Sequence, residues 1–361
     1  MNRATSLYLD VIRPFAAFAV LLSHVSDSNI SGGQLRFMGV AGGQAVDVFF
    51  VLSGFVIAHV CATREQTPRS YVISRAVRIY SVAIPTLILT AILDFIGRRE
   101  DVATYMGPFQ AFSPGVITRS LTFLGEQWNA HRFPGSDGPY WSLGFEVWYY
   151  VAFGTFLFFP RRWRWIAVAA VLVFIGPKVA LMFPVWLMGV FAYRICKASP
   201  FSKRAGWILF TVPILLLAGY EALSPSNLQA FSTLTLAPHR LFMMAQDYFV
   251  AAIFSAHIIG FSTVSETFAP WLEKRAARIR WIAGGTFSLY LAHLPIMHIL
   301  AASSPWPKTS RLTLVLLVIC TPVLAYLFAE VSERRKDSWH HLAETVLRFF
   351  EVRLAFGPER P

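Results

Sequence analysis

Charged residues are scarce in this 361-residue sequence, where they make up 14%, against about 25% in an average soluble domain. Hydrophobic residues account for 55%. They occur in blocks of roughly 17 to 22 residues, the length that crosses a hydrocarbon layer about 30 Å thick. The scarcity of charge excludes an ordinary soluble enzyme. The blocks predict an all-α, polytopic bundle of transmembrane helices.

Cysteine is also scarce, and the three cysteines stand far apart at Cys61, Cys196 and Cys320. With no C-x-x-C pair, neither a disulfide framework nor a structural zinc site is indicated. No group of residues has metal-ligand spacing, the nearest being His340-His341. Nothing resembles a phosphate-binding loop or a dinucleotide fingerprint. The sequence therefore predicts no metal and no permanently bound cofactor.

Ten membrane spans are predicted, at about 7–25, 46–62, 79–97, 141–160, 165–178, 180–195, 206–223, 240–262, 282–302 and 311–330. The fifth and sixth are either two short helices that break at Gly176-Pro177-Lys178 or one long kinked helix. The first block lacks a small-residue cleavage site, which favours a retained span over a signal peptide. The segment 98–140 then lies outside as a re-entrant or interfacial helix.

The net charge of +12 does not predict nucleic-acid binding, because the basic residues collect at the ends of apolar blocks. With the amino terminus inside, every basic cluster falls on the cytoplasmic side, as the positive-inside rule requires. The clusters are Arg64, Arg69, Arg75 and Arg78; Arg161, Arg162 and Arg164; Lys197, Lys203 and Arg204; Lys274, Arg275, Arg278 and Arg280; and Arg334, Arg335 and Lys336. Both termini are predicted to be cytoplasmic. Residues 1–335 form the transmembrane domain, and 336–361 an amphipathic tail along the inner surface.

The first span carries three polar residues that a greasy helix does not need. Eleven residues at about 100° each place His24 within about 20° of Arg13 on the helix surface. Asp10 lies one turn before Arg13, at the spacing of an ion pair. These three residues form a polar stripe, and intramembrane charges are functional candidates. The alternative is that Asp10 and Arg13 reach the inner interface and His24 caps the outer end.

Glu146, in PYWSLGFEVWYYV, has no basic residue within one helical turn. The predicted topology places it near the outer surface at the depth of His24. A carboxylate beside a histidine orients the imidazole and supports it as a base. The alternative is a surface glutamate among interfacial aromatic residues.

Arg75 and Arg78, in SRAVRIY, share one helical face at the cytoplasmic boundary. Two guanidinium groups in this arrangement suit a phosphate-bearing ligand, although topology or contact with lipid headgroups also explains them. In the second span, Asp47 is a further candidate, whereas Ser53-Gly54 favours close helix packing.

Five stretches resemble the acyltransferase 3 family of membrane enzymes and follow the family's order: LDVIRPFAAFAVLLSH, VDVFFVLSGFVI, RAVRIY, PYWSLGFEVWYY and FSLYLAHLPI. By this resemblance, Arg13 and His24 match the family's essential pair, and Arg75 and Arg78 its paired arginines. The resemblance likewise matches Glu146, His293 and Glu333 to a glutamate, a late histidine and a closing glutamate. The family's usual prolines are missing after the paired arginines, where Ser81 stands, and after Glu333.

The resemblance implies an O-acyltransferase of the cell inner membrane. It would move an acyl group from cytoplasmic acyl-CoA, acetyl-CoA being the first candidate, to a hydroxyl of an extracytoplasmic carbohydrate such as exopolysaccharide or lipopolysaccharide. Membrane lipid would surround it. His24, oriented by Glu146, would act as general base or form a transient acyl-histidine, and Arg13 would stabilise the oxyanion or fix the donor. Substrate contacts are expected from Asp10, Asp47, Trp141, Tyr149 and His293.

One alternative function belongs to another class. A transporter or flippase that moves an acyl group or a lipid-linked sugar without chemistry also places charged residues along a path through the membrane. Ester formation on the acceptor distinguishes the two.

Overall fold

The computed structural model describes residues 1–105, 111–223 and 236–355, and these described residues form helices and their connections, with no β-strand among them. The helices are α1 Arg3–Val25, α2 Ser28–Ser31, α3 Ala41–Thr63, α4 Pro68–Glu100, α5 Pro114–Leu121, α6 Leu143–Phe158, α7 Arg164–Ile175, α8 Pro177–Ala198, α9 Lys203–Leu223, α10 Leu236–Lys274, α11 Ala276–Ala283, α12 Thr286–Ala302, α13 Arg311–Ala329 and α14 Lys336–Ala355. The all-α prediction is confirmed for this part of the chain.

A helix or a bent helix pair lies at each of the ten predicted spans. Within the described ranges, six helices are long and apolar enough to cross a membrane, and α11 with α12, which meet at 43°, make a seventh if they form one span. Helices α6 and α7 have only 16 and 12 residues, fewer than the roughly 17 that a crossing needs. A multi-pass membrane protein is thus supported, while ten crossings and cytoplasmic termini stay predictions.

The region 165–195 contains two helices rather than one kinked helix. The chain breaks at Gly176, whose φ of +99° a residue with a side chain rarely adopts. A Cβ at this position would also lie 2.7 Å from the Cα of Trp128. The close approach of the loop around Trp128 therefore fixes where α7 ends and α8 begins.

Close contact between α3 and α8 holds the centre of the bundle together. A Cβ on Gly54 would stand 2.1 Å from the carbonyl oxygen of Trp186, and a Cβ on Gly189 would stand 2.0 Å from that of Val51. Small residues allow helix backbones to approach in this way. The predicted packing role of the Ser53-Gly54 pair is confirmed for Gly54.

The described part of segment 98–140 packs into the bundle against α4. Helix α5 ends at Leu121, whose carbonyl accepts a hydrogen bond from the Tyr80 hydroxyl at 2.8 Å. Farther along, Asp94 of α4 accepts hydrogen bonds from the backbone N–H and the hydroxyl of Ser136, at 2.8 and 2.5 Å. The chain therefore enters α6 from within the bundle, which determines how deep the first turn of α6 lies.

Candidate active site

A cavity of about 230 Å³ lies between α1, α3, α4, α6, α11, α12 and the start of α14. We call it the cationic cavity, because its lining has five basic and three acidic side chains: Arg13, Arg75, Arg78, Arg280 and Lys336 against Asp10, Glu146 and Glu333. A cavity with two excess positive charges at low dielectric attracts an anion. The two arginines that the sequence proposed for a phosphate, Arg75 and Arg78, both line it.

Ion pairs neutralise only part of this charge. Arg13 bonds Asp10 at 2.9 Å, which confirms the predicted pair on α1, and Arg75 bonds the buried Glu65 at 2.5 Å. For Arg78 and Arg280, no carboxylate of the described residues lies within salt-bridge distance. These two guanidinium groups are therefore the cavity's most available cations for an anionic ligand.

Glu146 belongs to this cavity and not to the neighbourhood of His24. Its carboxylate accepts hydrogen bonds from the hydroxyls of Ser53, at 2.9 Å, and Tyr150. The same Ser53 hydroxyl accepts the indole N–H of Trp186 at 3.2 Å. This buried network holds the carboxylate in one orientation toward the arginines.

The level of Glu146 follows from the contact between α1 and α3. A Cβ on Gly42 of α3 would meet Ser23 of α1, at 2.2 Å from its hydroxyl oxygen, so Gly42 lies at the level of His24. Ser53 is eleven residues farther along α3, about 16 Å away at 1.5 Å per residue. Glu146 therefore lies near the depth of Arg13, and the expected pairing of Glu146 with His24 is not formed in this structure.

Glu333 acts at the bend between α11 and α12. Its carboxylate accepts the backbone N–H groups of Phe287 and Ser288, both at 3.1 Å, and so caps the amino terminus of α12. A carboxylate is also favoured there by the helix dipole. Lys336 follows at 3.8 Å from Glu333. The matched family glutamate thus anchors the helix that carries Tyr290 and His293.

The imidazole rings of His24 and His293 lie together at the other end of α1, with centroids 5.2 Å apart and planes at 42°. We call these two residues the histidine pair. His293 is fully buried, and its Nδ1–H donates to the carbonyls of Leu289 and Tyr290, at 3.1 and 2.7 Å. Its Nε2 has no hydrogen-bond partner among the described residues. His24 is half-buried.

The distance between the two sites bears on Arg13. Eleven residues of α1 separate it from His24, about 16 Å along the helix. A group that reacts at His24 is therefore out of reach of Arg13. Of the two roles considered for Arg13, fixing the donor fits the structure, and stabilising an oxyanion at His24 does not.

Three other predicted site residues lie outside both groups. Asp47 is buried on α3, where its carboxyl hydrogen-bonds that of Asp247 on α10. Tyr149 is fully buried and donates its hydroxyl to the carbonyl of Val179 at 3.0 Å. Trp141 is half-buried and meets Phe145 edge-on. Tyr149 thus presents no free face on which a sugar can stack.

Sequence reasoning assigned four cavity residues to other tasks. Arg280 and Lys336 were explained by topology, Ser53 by packing and Tyr150 by the aromatic belt. Basic residues at a span end carry the same signal whether they set orientation or line a cavity, so Arg280 and Lys336 had no distinguishing mark. The i, i+4 spacing of Glu146 and Tyr150 was a usable signal for their hydrogen bond.

Fold and site together define an integral membrane protein with an anion-attracting cavity and a buried pair of imidazoles. A family model described as an acyltransferase domain matches residues 6–330. The chain belongs to this family, acyltransferase 3.

Two curated proteins are similar over part of their length. The exopolysaccharide production protein ExoZ of Rhizobium meliloti (strain 1021) is 31% identical over 147 residues, 40% of this chain and 41% of ExoZ. The acyltransferase MdmB of Streptomyces mycarofaciens is 27% identical over 186 residues, 48% of this chain and 46% of MdmB. Each match spans less than half of the relative. No solved structure shows a significant match. These similarities support an enzyme that transfers acyl groups.

Proposed function

We propose that this protein is an O-acyltransferase of the cell inner membrane that moves an acyl group, acetyl in the first instance, from cytoplasmic acyl-CoA to a hydroxyl of an extracytoplasmic carbohydrate. One observation carries the proposal. A single helix, α1, presents Arg13 to the cationic cavity and, about 16 Å farther on, His24 to His293. This places an anion site and a base at two depths of one bundle.

The cationic cavity is the site for the phosphates of the donor. Arg78 and Arg280 supply guanidinium groups without carboxylate partners among the described residues, and guanidinium binds phosphate in a bidentate geometry. At about 230 Å³ the cavity is smaller than the roughly 300–1,000 Å³ that encloses a drug-sized ligand. It therefore holds one part of acyl-CoA, and the extended arm carries the thioester toward His24.

The histidine pair is the site of transfer. His24 removes the proton from the acceptor hydroxyl, whose oxygen attacks the thioester carbonyl. An ester C–O bond forms, the C–S bond breaks, and the departing thiolate of CoA takes the proton from His24. In the second route His24 itself attacks, and the acceptor hydroxyl then displaces it from an acyl-histidine. Both routes give the same ester and free CoA.

The carbohydrate acceptor is supported by ExoZ, whose name records exopolysaccharide production. An exopolysaccharide or a lipopolysaccharide would reach His24 from the side where α1 ends. MdmB, named as an acyltransferase, supports the reaction class without specifying a carbohydrate.

Purified protein with radiolabelled acetyl-CoA and an oligosaccharide acceptor tests this proposal. We expect alkali-labile label on the oligosaccharide, and loss of that label in His24→Ala, with His340→Ala on the exposed tail as a folded control. Label that crosses the membrane of proteoliposomes without entering an ester would establish the transporter alternative. Ester formation by His24→Ala at the wild-type rate would contradict the assignment of His24.

A further inference from the structure

We infer that His293 is a positioning residue for His24: its Nε2 accepts the ring N–H of His24, so that the other nitrogen of His24 faces the acceptor hydroxyl. This inference rests on the proposed function, because it assumes that His24 is the reacting imidazole. It replaces Glu146 by His293 as the group that orients His24.

The backbone of α12 fixes which nitrogen of His293 can accept. The carbonyls of Leu289 and Tyr290 lie 3.1 and 2.7 Å from Nδ1. A carbonyl accepts only, so Nδ1 must carry the hydrogen of the neutral ring. The lone pair then resides on Nε2, and the ring is held by two hydrogen bonds.

That lone pair is buried without a partner. His293 has no exposed surface, and no hydrogen-bond donor among the described residues reaches its Nε2. A buried polar atom without a partner is costly and needs an explanation. A donor that arrives during the reaction supplies one, and the ring of His24 is 5.2 Å away between centroids.

The geometry of the two rings suits this hydrogen bond. A separation of 5.2 Å with planes at 42° lets two imidazoles meet edge to edge through one N–H···N contact after a small rotation of His24. His24 is half-buried at the last turn of α1, where its side chain can turn. The fixed ring of His293 is therefore the reference for the movable ring of His24.

The carboxylates that might orient His24 instead are engaged elsewhere. Glu146 accepts from Ser53 and Tyr150 in the cationic cavity. Asp27 is close in sequence, but its side chain accepts the backbone N–H of Asn29 at 2.7 Å and caps α2. A neutral imidazole behind His24 also avoids placing a full negative charge in the apolar interior.

The hydrogen bond has a defined task in the reaction. With its N–H held by His293, His24 presents a lone pair to the hydroxyl and becomes an imidazolium when it takes the proton. Nε2 of His293 stabilises that cation until the proton passes to the thiolate. His293 exchanges no atom with the substrate, and the overall balance of the transfer is unchanged.

Three variants separate positioning from simple packing. His293→Phe keeps a ring but removes the acceptor, and we expect kcat to fall on the order of 10²-fold while the KM for acyl-CoA is unchanged. His293→Gln retains an acceptor oxygen and should recover part of kcat. His293→Ala should be rescued by added imidazole. Thermal unfolding in detergent checks that each variant is folded.

A wild-type kcat in His293→Phe would overturn the inference, as would a loss that neither glutamine nor imidazole relieves. The double variant His24→Ala with His293→Phe should be no slower than His24→Ala alone, because the two act as one unit. If His24→Ala is inactive and His293→Phe is fully active, only this inference fails. If His24→Ala is as active as the wild type, the proposed function fails with it.

Discussion

His24 and His293 meet ring to ring, 5.2 Å apart, although one lies on the first helix and the other near the end of the chain. Helix α12 is held in place for this contact at its amino terminus, where Glu333 accepts two backbone N–H groups. The segment that follows α13 thus supports the imidazole pair from a distance. The cationic cavity lies between this cap and α4.

Removing the two paired arginines should weaken donor binding. In Arg75→Gln with Arg78→Gln, we expect the KM for acyl-CoA to rise about 10- to 100-fold per residue, since a charged hydrogen bond contributes about 1.5–3 kcal/mol. The matched control is Arg161→Gln with Arg162→Gln, which removes the same charge from exposed positions. If the KM is unchanged, or rises equally in the control, the paired arginines set topology or contact lipid.

Glu146→Gln should disturb the donor site and leave the base at His24 intact. The carboxylate accepts from Ser53 and Tyr150, and an amide in its place loses charge next to the arginines. We expect a changed KM for acyl-CoA and an unchanged dependence of kcat on pH. A shift of the pH profile would instead show that Glu146 acts on His24, as the sequence suggested.

Sequence periodicity places residues on helix faces but not at depths, and this accounts for the error over Glu146. Asp10, Arg13 and His24 were placed on one face of α1, and the structure brings Arg13 and His24 to the two sites. The depth of α6 depends on how the segment before it folds against Tyr80 and Asp94. Those long-range contacts leave no periodic signal in the sequence.

The helices themselves were readable because apolar blocks and basic ends mark them. Their grouping was less so: the resemblance named His24, His293 and Glu333, but nothing in their spacing showed that the first two meet or that the third caps α12. The cavity roles of Arg280 and Lys336 were hidden for a similar reason. A basic residue at a span end looks the same whatever it faces.

Gly54→Ala should destabilise the bundle. The new methyl group would overlap the carbonyl of Trp186, and overpacking of this kind costs about 1–3 kcal/mol. We expect a lower Tm in detergent by several degrees. Gly43→Ala on the same helix meets nothing within 4 Å and should leave the Tm unchanged or slightly higher. Equal Tm values for the two variants would refute the close α3–α8 contact.

Glu333→Ala should loosen the start of α12. A lost cap costs about 0.5–2 kcal/mol, and kcat should fall as well because α12 carries His293. The control is Glu330→Ala, whose exposed carboxylate pairs only with Arg334 among the described residues and should change the stability by less than about 0.5 kcal/mol. The capping role is wrong if both variants lose stability to the same extent.

Sidedness tests the central claim, that a donor site and a base stand at different depths of one bundle. The measurement uses sealed proteoliposomes with an oligosaccharide enclosed, radiolabelled acetyl-CoA added outside, and the orientation of the chain determined by protease access to a tag on its amino terminus. The account predicts ester-linked label on the enclosed oligosaccharide only from molecules whose amino terminus faces outward, and none with His24→Ala. Label that appears only when donor and acceptor share one side of the membrane would contradict it.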